Sequence, residues 1–256
     1  MLTMILPEGL AYNKYSKKIN FVDIKDKKLY EILSSKPKKL FIFDETISFA
    51  VAVSKEKFLI GYSNKLCSFN LVNKEIKIIK TIKDNYFRTN DAFLDDHGNL
   101  WFGVMHNSDN TEKGGLYRFN YKDGLCTFDE DYHIPNGPVK SPSNGYLIHN
   151  DSFLGYMYIY EDTNSSKSRK VLFDCNNLSD SCSPDGMCFD ELGNLYVAMW
   201  GYGHVCVFNH RMQIIEQIKT PTIFPTNVLV KDKKIFITYA EDEKNKLKGG
   251  IIILEH

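Results

Sequence analysis

The segment from Asn90 to Trp101, NDAFLDDHGNLW, returns from Asp185 to Tyr196 as DGMCFDELGNLY, every position displaced by 95 residues. Each copy has a short apolar run, an acidic turn closing on Gly-Asn, and a second apolar run, which is two strands joined by a tight hairpin. Each then continues into a third strand, GGLYRFN ending at Asn120 and GHVCVFN ending at Asn209, where apolar and polar residues alternate as on a half-buried sheet. Weaker copies fill the remaining chain. Asn136 opens NGPVKSPSNGYL, closed by GYMYIY at Tyr160; Glu8 opens a unit running through KINFVDI to KLYEI; Phe49 leads into FLIGYSNKLCSFN; and Thr226 leads through KIFITY to GGIIIL. The six units begin near Glu8, Ser48, Asn90, Asn136, Asp185 and Thr226, at intervals of 40, 42, 46, 49 and 41 residues. Units of that length, with several short strands and no helical periodicity, predict an all-β fold, a six-bladed β-propeller with four-stranded blades around a central channel. Residues 1–256 are expected to form one such domain. A pair of sandwich sheets would not produce the repeat.

Charge narrows the partners. Lysine plus arginine equal aspartate plus glutamate at 32 each, so no global field draws the chain to nucleic acid or to an anionic membrane, and small neutral or weakly charged molecules fit better. The opening MLTMILPEGL lacks the basic flank, long apolar core and small-residue cleavage site of a signal peptide. No apolar run approaches the roughly 20 residues of a membrane-spanning helix. The cysteines, Cys67, Cys126, Cys175, Cys182, Cys188 and Cys206, form no C-x-x-C pair and have no histidine companions at zinc-finger spacing. They read as reduced, buried thiols, which implies a cytoplasmic setting. Nothing in the surface pattern specifies an oligomeric state.

In a propeller the first strand of each blade lines the channel, so Glu8, Asn90, Asn136, Asp185 and Thr226 are expected to ring one mouth. Carboxylate and amide oxygens converging from different blades are hard ligands, suited to calcium, magnesium, manganese or ferrous iron. Spacing alone also allows another arrangement, in which these residues cap hairpins or turn with the glycines that follow three of them.

The ordered set LPEGLAY, KINFVDI, FRTNDAFLDDHGNLWFG, GGLYRFN, PNGPVKSP, the Asp151-Ser152 pair, PDGMCFDELGNLYVAMWGYGHVCVF and GGIIIL resembles the SMP-30/gluconolactonase family, which includes regucalcin, over nearly the whole chain. That resemblance implies one divalent metal ion, calcium, manganese, zinc or iron(II), held by the glutamate of EG, the asparagine of NG and the aspartate of PDG, here Glu8, Asn136 and Asp185. It also implies that the arginine and asparagine of RxND, here Arg88 and Asn90, face the substrate.

The activity implied is metal-dependent hydrolysis of a sugar lactone, with Asp185 as both ligand and general base. Arg88 would donate through its planar fork to the carbonyl or a hydroxyl, and Asn90 would hold a water or a substrate hydroxyl. Asp91 is expected to orient Asn90 or its loop. His106, just after the second strand of its blade, stands where relatives often carry an acidic substrate contact, and with Asn107 it replaces charge by neutral hydrogen-bonding groups. Trp200, in MWGYG, offers either a wall for a sugar ring or packing between blades. Leu10 stands where relatives usually have proline after EG, freeing a torsion and adding a donor. Two other functions fit the same ligand set: a non-catalytic calcium-binding or metal-binding regulatory protein, and a promiscuous metal-dependent esterase or phosphotriesterase. A protein-interaction propeller with an inert channel would carry no ion.

Overall fold

The computed structural model of the chain describes residues 3–108 and 112–256. Six antiparallel sheets follow one another along the chain. Blade 1 contains β1 (Pro7–Asn13), β2 (Lys18–Asp23), β3 (Lys28–Leu33) and β4 (Lys36–Ile42). Blade 2 contains β5 (Ile47–Ala52), β6 (Lys57–Tyr62), β7 (Lys65–Asn70) and β8 (Ile76–Thr81). Blade 3 contains β9 (Phe87–Leu94), β10 (Leu100–His106), β11 (Gly114–Asn120) and β12 (Gly124–Tyr132). Blade 4 contains β13 (Pro135–Lys140), β14 (Leu147–Asp151), β15 (Tyr156–Tyr160) and β16 (Arg169–Asp174). Blade 5 contains β17 (Ser183–Phe189), β18 (Leu195–Trp200), β19 (His204–Phe208) and β20 (Ile214–Lys219). Blade 6 contains β21 (Pro225–Lys231), β22 (Lys234–Tyr239) and β23 (Gly250–Glu255).

The first strands β1, β5, β9, β13, β17 and β21 contact one another in sequence, and β1 also contacts β21, which closes the ring. The chain is therefore the expected six-bladed propeller, and all six repeat starts fall within these inner strands. One expectation changes. Blade 6 has three strands in its sheet, and Met4 joins it by an isolated antiparallel bridge to Gly249.

The 95-residue repeat has a local chemical basis. In the β9–β10 hairpin, Asp95 Oδ1 accepts from the backbone N–H of His97 and Asn99, and Gly98 adopts φ +79°. In the β17–β18 hairpin, Asp190 Oδ1 accepts from Leu192 and Asn194 in the same way, and Gly193 adopts φ +85°. The aspartate satisfies turn donors that no strand partner can reach, while glycine alone takes the left-handed corner without strain.

An apolar cluster fills each seam between blades. Val22, Leu29, Ile47, Phe58 and Phe69 pack blade 1 on blade 2, and Phe49, Leu66, Phe102 and Tyr117 pack blade 2 on blade 3. Trp101, Tyr132, Leu147 and Tyr160 join blades 3 and 4, Met157, Met187, Val197 and Phe208 join blades 4 and 5, and Val205, Val228 and Ile237 join blades 5 and 6. The last seam includes the smaller cluster of Met4, Phe21 and Tyr30. Polar bonds reinforce it. Asp23 accepts from the N–H of Ile5 and Leu6, Glu241 N–H donates to Ile5 O at 2.9 Å, and Thr226 Oγ1 donates to Pro7 O at 2.6 Å.

Every inner strand carries one extra residue relative to its partner in its first half. The irregularities lie between Glu8 and Ala11, Ile47 and Phe49, Thr89 and Ala92, Asn136 and Val139, Pro184 and Met187, and Pro225 and Asn227. Such bulges bend the strand and re-aim successive side chains, here all at one level of the channel.

Asp91 departs from the expectation that it orients Asn90. Its Oδ2 accepts from Gly137 N–H and from Asn227 Nδ2, both at 3.2 Å, while its Oδ1 accepts from Ala92 N–H at 2.8 Å. One carboxylate thus ties blades 3, 4 and 6 across the channel. Burial pushes its pKa from the ordinary 3.8 up to about 6, against the opposing pull of the Ala92, Gly137 and Asn227 donors.

Two outcomes follow. A Cβ at Gly186 would lie 2.2 Å from Asn227 Nδ2 and 2.9 Å from Asn227 Cα, so blades 5 and 6 meet through the missing side chain. Gly186→Ala is expected to cost about 1–3 kcal/mol of unfolding free energy in urea titration. The folded chain keeps a proton on Asp91 that the unfolded chain releases, so this contribution is fully present below about pH 4 and is lost as the pH rises through about 6. Asp91→Asn removes that titration and should gain on the wild-type chain by up to about 3 kcal/mol between those pH values. A difference in denaturation midpoints that stays constant with pH would contradict it.

Candidate metal centre at the channel mouth

The residues singled out in the sequence lie inside strands, not in turns. Glu8 is the second residue of β1, Asn90 the fourth of β9, Asn136 the second of β13 and Asp185 the third of β17. The Glu-Gly and Asn-Gly steps sit on the bulges, where Gly9 and Gly137 take φ +61° and +55°. The turn arrangement left open by spacing is therefore excluded. Thr226 is also in an inner strand, but its hydroxyl is spent on Pro7 O and Thr238 Oγ1 and serves the seam.

Glu8, Asn90, Asn136 and Asp185 are all buried. Glu8 Oε2 and Asp185 Oδ1 have no hydrogen-bond partner among the described residues. Burial pushes the Glu8 carboxyl well above the usual carboxylate range, with Asp185 and then Asp91 adding to the rise, while Arg88 and the Gly9 N–H oppose it. The Asp185 carboxyl is raised by burial first and by Asp91 second, against Gly186 N–H and Arg88. Burial thus brings Glu8 and Asp185 under the influence of Asp91 and of the Arg88 guanidinium. An unpaired buried carboxylate oxygen costs several kcal/mol unless a proton or a cation satisfies it, and two such oxygens from blades 1 and 5 suit a hard divalent ion.

Among the described residues, no three histidine, cysteine, aspartate or glutamate side chains form a ligand set. A cation at Glu8 and Asp185 would therefore need amide oxygens and water as well. Asn136 fits: its Oδ1 accepts from Asn90 Nδ2 at 2.6 Å and retains a second lone pair, while its Nδ2 donates to Ser152 Oγ at 2.9 Å. Arg88 Nη1 donates to Asn90 Oδ1 at 2.6 Å and to Thr89 O at 3.1 Å. Asn90 Nδ2 also donates to Pro135 O at 2.9 Å. The RxND pair is therefore bound to the Asn136 strand.

Sequence reasoning missed Asn150 and Ser152. Asn150 Nδ2 donates to Asp185 O at 2.7 Å, and Ser152 Oγ donates to Pro184 O at 2.6 Å, so blade 4 holds the backbone that presents Asp185. The Asp151-Ser152 pair was the one signal available for either.

His106 is the last residue of β10, rather than lying beyond it. Its Nδ1 pairs with Ser108 Oγ at 2.8 Å, its ring stacks on Tyr86 and meets Phe87 edge-on, and Asn107 Nδ2 donates to Asn85 O at 3.0 Å. Trp200, the last residue of β18 and half-buried, lies against Phe224 with ring centroids 4.6 Å apart. Packing between blades 5 and 6 thus engages part of its ring. Of the cysteines, Cys126 is exposed on the outer strand β12, and the other five are buried and free as expected.

Beyond Asp91, a cavity of about 420 Å³ continues along the inner strands, walled by Leu10, Val139, Met187 and Val228 and edged by Lys140 and Asp190. It lies further along these strands than Glu8, Asn136 and Asp185. No helix among the described residues is long and apolar enough to cross a membrane.

Known proteins resemble the chain in sequence and in fold. The Pseudomonas putida 6-deoxy-6-sulfogluconolactonase is 27% identical over 143 residues, covering 55% of this chain and 49% of that enzyme. The chain thus matches about half the length of that relative. The pentonolactonase XacC of Haloferax volcanii is 22% identical over 225 residues, covering 87% of this chain and 76% of its own. A luciferin-regenerating enzyme superposes with a TM-score of 0.89 at 20% identity, covering 99% of this chain and 92% of that one. The sequence profile of the SMP-30/Gluconolactonase/LRE-like region matches residues 6–241, and the chain belongs to that family.

Proposed function

We propose that the protein is a lactone hydrolase acting on sugar lactones, with one divalent cation held by Glu8, Asn136 and Asp185. The observation that carries this reading is the pair of buried, unpartnered carboxylate oxygens, Glu8 Oε2 and Asp185 Oδ1, beside an amide oxygen with a lone pair to spare. Family membership and relatives named as sugar lactonases support the substrate class.

Opening a lactone requires a polarised carbonyl, an activated water and relief of the charge that gathers on the carbonyl oxygen. A bound divalent ion would supply Lewis acidity for the carbonyl and lower the pKa of an adjacent water. The protein's own groups supply the rest. Asp185 accepts the proton of the attacking water and returns it to the ring oxygen as the C–O bond breaks. Glu8 and Asn136 would hold the cation together with it. Arg88 donates to substrate oxygens through its planar guanidinium fork. Asn90, His106 and the open part of Trp200 border the substrate, and the His106-Asn107 pair offers hydrogen bonds to a sugar edge. A metal-binding protein without turnover would use the same three ligands and is separated by the same experiment.

In a pH-stat assay with gluconolactone and pentonolactones, the wild-type chain supplied with manganese, calcium, zinc or ferrous iron should accelerate ring opening. Asp185→Asn should cut turnover by about 10²–10⁴-fold while the circular dichroism of the propeller is retained. Absence of metal-dependent acceleration across that panel, with metal bound, would leave the binding protein as the reading.

A further inference from the structure

The hydrogen bonds around Asn136 run in one direction. Arg88 Nη1 donates to Asn90 Oδ1 at 2.6 Å, and Asn90 Nδ2 donates to Asn136 Oδ1 at 2.6 Å. Asn136 Nδ2 then donates to Ser152 Oγ at 2.9 Å, and Ser152 Oγ donates to Pro184 O at 2.6 Å. The two ends decide the direction. A guanidinium carries only donors and a peptide carbonyl carries only acceptor lone pairs. Each asparagine between them must therefore turn its oxygen toward Arg88 and its amino group toward Pro184. Reversing either amide would set oxygen against oxygen or N–H against N–H at these separations, in a region where Asn90, Asn136 and Ser152 are all buried. The assignment of amide oxygen and nitrogen, which ordinarily rests on choosing a network, is here forced by the network's ends.

Ser152 is itself held independently of the site. Its N–H donates to Ile134 O at 2.9 Å, and the preceding Asp151 accepts from the backbone N–H of His133, Ile134 and Phe153. The hydroxyl therefore reaches Asn136 and Pro184 from a rigid base: Ser152 lies two residues after the strand partner of one candidate ligand, and its acceptor Pro184 lies one residue before the other. Asn136 pairs with Asn150 across β13 and β14, and Pro184 directly precedes Asp185.

We propose that Ser152 is a positioning residue for the cation site. With Arg88 at the far end, it locks the Asn136 amide so that the oxygen is the atom offered to the ion. By holding Pro184 O it also sets the approach of Asp185. Arg88 then has a task besides any contact with substrate, since it orients a ligand through Asn90. This rests on the metal reading given above and assigns work to side chains outside its ligand set.

The test is titration calorimetry of the metal-free chain with manganese(II) alone, comparing the wild-type chain with Ser152→Ala, Ser152→Val and Ser152→Thr. Threonine keeps the hydroxyl, and valine has nearly the same shape without it. Alanine and valine should weaken manganese binding by about 10–100-fold, the range for partners that orient a ligand, and threonine should stay within about threefold of wild type. Thermal melts of the metal-free variants, read beside the affinities, separate loss of orientation from loss of fold, because valine and threonine load the site with equal bulk. If valine and threonine weaken binding equally, or alanine binds as wild type does, the inference is overturned. Should the alanine variant fail to fold, the valine and threonine variants carry the test alone, and equal manganese affinities in the two overturn the proposal. A wild-type chain that binds no divalent ion overturns the metal reading itself and this inference with it, an outcome distinct from both.

Discussion

A ring of sheets encloses a channel only if its last member is fastened to its first. Here that fastening is made by residues that precede the first blade. Met4 bridges Gly249, Ile5 O accepts from Glu241 N–H, and Thr226 Oγ1 reaches Pro7 O. Asp23 then grips the N–H groups of Ile5 and Leu6, so the strap is bonded to blade 1 as well as to blade 6. Each of these bonds satisfies a backbone group that would otherwise be lost on burial. Glu8 begins immediately beyond them. The position of the one carboxylate contributed by blade 1 therefore depends on closure of the whole ring.

The second constraint is the extra residue in each inner strand. In a regular strand alternate side chains leave the channel, and a cluster of functional groups would be spread along the axis. A bulge at one level re-aims Glu8, Asn136 and the side chains around Asp185 to the same height. The result is a buried concentration of carboxyl groups, in which burial and then neighbouring carboxylates raise the proton affinity of Glu8 and Asp185. Asp91, one level along, converts part of that charge into a strut across the channel by taking donors from Gly137 and Asn227.

Much of the architecture was legible in the sequence because it is local. The Asp95 and Asp190 turns need an aspartate, a left-handed glycine and an asparagine in fixed order, so the hairpin leaves a visible signature. The channel-lining strands were found by counting from those turns. The bulges were not legible, since Glu8-Gly9 and Asn136-Gly137 look the same in sequence whether the glycine serves a turn or a bulge, and only the partner strand shows which. The strap was missed because a single bridge at Met4 has no periodicity. Asn150 and Ser152 were missed as site residues because their partners, Asp185 O and Pro184 O, are backbone atoms of another blade and leave no trace in side-chain pattern. Asp91 was expected to orient Asn90 or its loop, and beside its bond to Ala92 N–H it has partners 46 and 136 residues away.

The seam between blades 6 and 1 is closed by a short strap, bridged at Met4 and bonded at Ile5, and not by a further paired strand. Native-state fluctuations start where the least surface must be exposed, so amide hydrogens at Glu241 and Gly249 should exchange with solvent through smaller openings than those of the aromatic seam around Trp101. An ion bridging Glu8 and Asp185 would bind the closed ring and not the gaping one, and would act as a clasp fastened across that opening. Occupancy of a site in the channel and breathing of a seam at the rim would then be two readings of one equilibrium.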